Sequence, residues 1–324
     1  MADVNPVSRL VGDDRGQLFL VTALAIAVLL VSLALILNTA IYTENIATRT
    51  TDTQLDDAVT EQRAVVAASE TMLDAENRNG GSESEIGTRF ESSLANWSET
   101  AGTLEAANGF TIDVSYTGTN TTGIRVHQDD PARNFTDNSL DDSWEVVDSG
   151  RVRGIRFDVS RDNLSTTESN AFNVEVDDQD GVGDEATVSM YTDGTNVVVT
   201  VENDTESLSC SVEPTDGESL VVDIGSETVG TRYCPALEIV HDEADGEVDI
   251  WFDNAENATG TYELYTTNDD DDLDDLFSDA DFASVGSGEW PVKQPALYDV
   301  TVRFVFQSSG TTVEKEIRIT PGDL

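Results

Sequence analysis

Residues Leu18–Leu37, LFLVTALAIAVLLVSLALIL, decide how the rest of the chain is read. The stretch carries no charge, and Thr22 and Ser32 are its only polar interruptions. At about 1.5 Å rise per residue it makes a helix roughly 30 Å long, which matches the hydrocarbon core of a bilayer. It therefore predicts a transmembrane helix over 17–37. Arg9 and Arg15 lie just before the run, whereas the first charge after it is Glu44. That asymmetry predicts a single pass, with the N-terminus cytoplasmic and the C-terminal domain extracellular. A secretory signal would have a shorter apolar region followed by a small-residue cleavage site, so the segment reads as a retained anchor.

Outward from this segment, residues 1–16 form a charged leader. Residues 38–78 continue as a helix, since Asn38–Glu76 holds neither proline nor glycine. Leu55, Val59, Gln62, Val66, Ser69 and Leu73 alternate spacings of four and three, which places them on one stripe of that stalk helix. Asn79-Gly80-Gly81 ends it. Residues 79–108 hold a second helix and a linker. Ser82 and Glu85 have capping-box spacing, and Ile86, Phe90, Leu94 and Trp97 recur on one face from Ser82 to about Leu104.

From Phe110 onward the period changes to two. Ile112, Val114 and Tyr116 alternate with polar residues, as do Ile155, Phe157 and Val159, then Phe172, Val174 and Val176, and finally Val300, Val302, Phe304 and Phe306. Each pattern is a strand with one buried and one wet face. A last hairpin is predicted, with Asp299–Gln307 pairing Thr312–Thr320 around Gly310. The expected fold is α+β: a long N-terminal transmembrane and stalk helix, then an antiparallel β-sandwich-like domain over 109–324.

Composition bounds the partners. Net charge is −47, from 64 acidic and 17 basic residues, and the only lysines are Lys293 and Lys315. Self-repulsion of that size is screened at molar salt, where the Debye length falls to about 3 Å, so the acidity points to an organism living near salt saturation. No basic stripe is present to meet phosphates, which argues against nucleic acid. Cys210 and Cys234 are the only cysteines. They read either as a disulfide in an outside domain or as two separate buried thiols.

Around the apolar run the residues resemble a known group. Asp14-Arg15-Gly16-Gln17, the uninterrupted apolar helix and its polar helical continuation look like the N-terminus of archaeal type IV pilin-like proteins. The fuller stretch over roughly 14–49 resembles a haloarchaeal family of uncharacterised pilin-like surface proteins. The resemblance implies a prepilin-type peptidase that cuts between Gly16 and Gln17. It also implies an assembly helix using Leu18, Val21, Leu24, Val28, Leu33 and Leu37, and other pilin-like subunits as partners. Many such proteins carry a glutamate five residues into the mature helix, where this chain has Val21. A buried amine without its carboxylate is costly, which fits a minor subunit rather than a repeating one.

Other candidates are few. N-x-S/T sequons at Asn120, Asn134, Asn163, Asn203 and Asn257 are expected glycosylation sites, and Asn96 falls on a helix. Asn268–Asp275 is read as a solvated acidic loop, and Asp177-Asp178-Gln179-Asp180-Gly181 as an acidic turn that lacks the terminal ligands of a calcium loop. His127 and His241 are the only histidines; both are expected at strand ends or on the surface, and no nucleophile elbow or metal-spaced pair accompanies them. No catalytic residue, metal or cofactor is expected. The expected function is a non-enzymatic, membrane-anchored pilin-like surface protein, a minor subunit of a type IV pilus-like filament or adhesion structure. The alternative is a receptor-like or substrate-binding ectodomain on an uncleaved anchor.

Overall fold

The computed structural model describes residues 13–178, 185–214, 219–243, 246–268, 273 and 275–320; within the first helix, side chains are described at 23, 24, 26–35, 37 and from 55 onward. The chain opens with two helices, α1 (Asp13–Arg78) and α2 (Glu83–Ala106). Strands β1 (Thr111–Gln128), β2 (Trp144–Ser160), β3 (Phe172–Asp178), β4 (Glu185–Thr192), β5 (Val197–Glu202) and β6 (Ser207–Val212) follow. Next come β7 (Ser219–Asp223), the two-residue β8 (Thr228–Val229) and β9 (Arg232–Tyr233), and the short helix α3 (Glu238–Glu243). β10 (Val248–Asp253), β11 (Gly260–Thr267), β12 (Val292–Gln307) and β13 (Thr312–Ile319) complete it. Two compact units result: Met1–Glu61 with Ser308–Thr311, and Gln62–Gln307 with Thr312–Leu324.

In the second unit all named strands pair antiparallel, in the order β13-β12-β1-β11-β2-β10-β3-β4-β5-β6, with β7, β8 and β9 branching from β2. β2 is the hinge of this arrangement. Its C-terminal half pairs β11 and β7, while its N-terminal half pairs β10 through an irregular register. Between the halves lie Ser149 and Gly154, both at positive φ, where the strand changes direction. The two arms of the sheet therefore share one strand, where two separate sandwich sheets were expected. They close on one aromatic cluster: Phe157 meets Phe172 at 5.7 Å and Phe252 at 5.6 Å, and Tyr262 meets Phe252 at 5.2 Å. Gly260 makes the approach of β11 to β2 possible, because a Cβ there would lie 2.0 Å from the Asp158 carbonyl oxygen.

α2 covers β1. Ser82 caps it with both hydrogen bonds of a capping box to Glu85. Ile86, Phe90, Leu94 and Ser98 are its buried residues, so Ser98 takes the place expected of half-buried Trp97. The Ser98 Oγ accepts the Val114 N–H at 2.8 Å, and Phe90 meets Tyr116 edge-on at 5.6 Å. The stripe of α1 holds at Ser69 and Leu73 as expected, but its N-terminal part is turned by one residue. Ala58, Val65, Ser69, Leu73 and Asn77 are buried, while Leu55 and Val59 are nearly half exposed.

The membrane reading is corrected. Among the described residues no helix is long and apolar enough to cross a membrane. α1 is long but not apolar along its length. The transmembrane helix at 17–37, the single-pass topology, the cell-membrane location and the pilin-type anchoring are overturned with it. Side chains of Gly16, Gln17, Leu18 and Val21 lie outside the described residues, as do the leader to residue 12, part of the Asp177–Gly181 turn and most of the Asn268–Asp275 run.

Candidate functional site

Three features of the fold offer chemistry beyond packing. The first is in α1, where Leu24, Val28, Leu29, Leu30, Leu33 and Leu37 are each more than half exposed. Residues 26–35 are all exposed, and at 3.6 residues per turn such a run covers the whole circumference of the helix. The apolar surface is thus a collar and not a stripe.

The second is a pair of adjoining clefts of about 300 Å³ each on the outer face of β1, β11, β2 and β7, sharing Arg78, Arg156 and Glu263. Strand register builds it: Glu263 stands opposite His127 on one side and Arg156 on the other, and Arg156 stands opposite Asp223. Glu263 accepts Arg125 Nε at 3.0 Å and Nη2 at 2.9 Å, and also accepts both Arg78 Nε at 3.1 Å and Arg78 Nη2. Burial would push the Glu263 carboxyl up, but the two guanidiniums outweigh it and hold the group below its usual range. Asp74 takes Arg78 at 3.1 Å and the Tyr265 hydroxyl at 2.9 Å; burial leads in raising its carboxyl, against the pull of Arg78. Burial, with Glu263 and Asp74 nearby, also holds the Tyr265 phenol well above its ordinary range.

Two groups in the cleft stand apart from this network. Arg156 is exposed and has no hydrogen-bond or ion-pair partner among the described residues, and the buried Asp158 Oδ1, two positions along the same strand face, has none either. Together they can take a small ligand that offers both an anion and a hydrogen-bond donor.

A third cluster comes from the irregular pairing of β2 with β10. Carboxylate oxygens of Glu145, Asp148 and Asp249 lie within 4.8 Å of one another, a donor set suited to a hard cation. Asp249 Oδ1 accepts the Ser149 N–H at 2.7 Å. Burial, then Asp148 and Asp249, raise the Glu145 carboxyl. In a chain this acidic no spacing in the sequence marks the trio, and only the fold brings it together.

The predicted positions fall as follows. Cys210 and Cys234 form a disulfide, with a Cα separation of 5.8 Å, tying β6 to the turn before α3. Asn163 is exposed, its amide donating to Thr259 Oγ1 at 2.8 Å. Asn120 is half-buried beside Tyr116, whose hydroxyl donates to Asn120 Oδ1 at 3.1 Å. The Asn134 amide donates to the Glu256 carbonyl at 2.5 Å, and Asn203 Oδ1 accepts the Thr205 and Glu206 N–H groups. Asn257 is half-buried in a single 3-10 turn. His127 lies at the end of β1, as expected, but is buried against Trp290, with Asp129 on Nδ1 at 3.1 Å. His241, expected at a strand end or on the surface, lies in the short helix α3, preceded by the helical turn Pro235–Leu237.

Fold and site together define an acidic, disulfide-bearing antiparallel β domain with a long helix at its N-terminal side. Residues 12–175 match a family of unknown function, DUF7261, and the chain belongs to that family. The matched region runs through both long helices, β1, β2 and most of β3. No curated protein and no solved structure matches the chain.

Proposed function

We propose that this chain is a non-enzymatic structural subunit of a filament-like or adhesive assembly, joined to its neighbours through the apolar collar of α1. The observation that carries this reading is the run of exposed Leu, Val and Ile side chains over 24–37. Each such side chain taken fully out of water is worth about 1.5–3 kcal/mol, and a neighbouring copy of the same helix provides the cover. The resemblance of residues 14–49 to filament-forming N-termini supports the same reading. Light scattering after size exclusion in molar KCl tests it: the full chain is expected as oligomers, and Leu29→Glu with Leu33→Glu as a smaller species. A full chain of monomer mass at every concentration sinks the proposal.

The cleft favours a second reading, a binding module for small polar ligands. Arg156 and Asp158 carry it, because both lack partners where their neighbours are paired. Calorimetry with glycine and glutamate, repeated on Arg156→Gln, separates the two readings, since heat lost only in the variant supports ligand binding.

A further inference from the structure

Besides the two-residue β9, the sheet ends at two edge strands, β13 and β6, and they are guarded differently. β13 carries Glu314, Lys315, Glu316 and Arg318, the charges by which proteins keep an edge from pairing with another chain. β6, Ser-Leu-Ser-Cys-Ser-Val, carries no charge at all. Its residues pair only with β5, and among the described residues no backbone hydrogen bond is made on its other edge. Ser207, Leu208, Ser209 and Ser211 are exposed, Leu208 at 42%. On its inner side the strand is pinned: Val212 is buried, and Cys210 is bonded to buried Cys234. An edge held flat by a covalent staple gives up little conformational entropy when a new strand adds to it.

We propose that β6 is a self-association surface, on which two copies pair antiparallel through Ser207–Val212 and continue the sheet across a two-fold axis. Charge selects the occupant. The chain carries −47, so almost any other segment of a second copy brings carboxylates to the edge. β6 against β6 brings none. Glu206 and Glu213 flank the strand at its two ends, which limits the pairing to these six residues and makes the dimer weak and dependent on screening salt. This interface is separate from the apolar collar and stands or falls independently of it.

The test uses the full chain with Leu29→Glu and Leu33→Glu, in molar KCl, so that association through α1 does not mask it. Sedimentation equilibrium is expected to show a concentration-dependent dimer, weakened at least tenfold by Ser209→Glu with Ser211→Glu. Amide exchange of 207–212 in the unmutated edge is expected to slow as concentration rises, a readout that does not depend on how the charged variant folds. A dimer untouched by the two glutamates, exchange at 207–212 independent of concentration, or a monomer throughout each overturns the proposal.

Discussion

Replacing Asn77 with alanine tests how α1 is fastened to the sheet. Asn77 is fully buried at the C-terminal end of α1. Its Nδ2 donates to the Leu297 carbonyl at 2.9 Å, and its Oδ1 accepts the Leu297 N–H at 2.9 Å. The side chain thus does for β12 what a neighbouring strand would do, at the point where the β1–β12 register slips between Thr121 and Thr122. Its own carbonyl accepts Gln294 Nε2 at 3.2 Å, a bond the substitution leaves in place. Alanine leaves two buried backbone groups without partners, each costing about 1–3 kcal/mol. The better helix propensity of alanine returns about 0.5 kcal/mol, so the net loss expected is roughly 1.5–5.5 kcal/mol. Asn77→Asp keeps the acceptor but sets a carboxylate against the Leu297 carbonyl, and should lose at least as much at neutral pH. Urea denaturation in molar KCl, followed by tryptophan fluorescence, measures both: the midpoint falls while the slope stays the same. An Asn77→Ala chain within 0.5 kcal/mol of wild type would show that Leu297 finds other partners and that the fastening lies elsewhere.

Three further outcomes are expected. Converting Cys210 and Cys234 to serine opens a loop spanning 24 positions and should cost about 3 kcal/mol, read as a lower urea midpoint that dithiothreitol reproduces in the wild type alone. Burial, then the charge and hydrogen bond of Asp253, push the Glu175 carboxyl up from 4.5 to about 7. The folded state therefore holds a proton that the unfolded chain releases, and stability from this group falls as pH rises from about 4.5 to about 7. Glu175→Gln removes that loss; because the residue is half exposed the gain above pH 7 is discounted to about 1 kcal/mol, and it should vanish toward pH 5. Lowering salt well below molar should unfold the β domain as screening of its carboxylates is lost, and an unchanged far-UV signal in dilute buffer would refute the halophilic reading.

Local signals in the sequence were the most legible. Ser82 with Glu85 marked the start of α2, and the turn around Gly310 marked the β12–β13 hairpin, because each depends on residues a few positions apart. The α1 stripe was misread by one residue in its N-terminal part, where Ala58 and Val65 are buried in place of Val59 and Val66, and Asn77, a polar group bonded to Leu297 of the sheet, is invisible to an apolar pattern. Length of the apolar run alone led to a membrane span, and the described helix does not meet that demand. The Glu145, Asp148 and Asp249 cluster was hidden for a different reason, since acids are so frequent that no spacing among them carries information.

Cations, being scarce, carry the information that carboxylates do not. With 17 of them among 324 residues, several sit where one element meets another. Arg78 and Arg125 converge on Glu263 and fasten the end of α1 to β1 and β11. Arg89 joins α2 to α1 through Glu76 at 2.8 Å. Lys293 of β12 reaches Asp279 and lies 5.0 Å from the Phe277 ring, while Arg303 and Arg318 bridge the β12–β13 hairpin to Glu314 and Asp299. Exposed pairs such as Arg303–Glu314 add little, about 0–1 kcal/mol, but breaking a buried one such as Arg125–Glu263 leaves a charge without compensation and costs roughly 3–5 kcal/mol. Arg156 departs from this rule. It lies in register between Glu263 and Asp223 yet bonds to neither, so its charge joins no two elements of this fold. In a chain that places several of its cations at joints, an unpaired cation left in an open cleft is the position where substitution should change binding while leaving stability within about 0.5 kcal/mol.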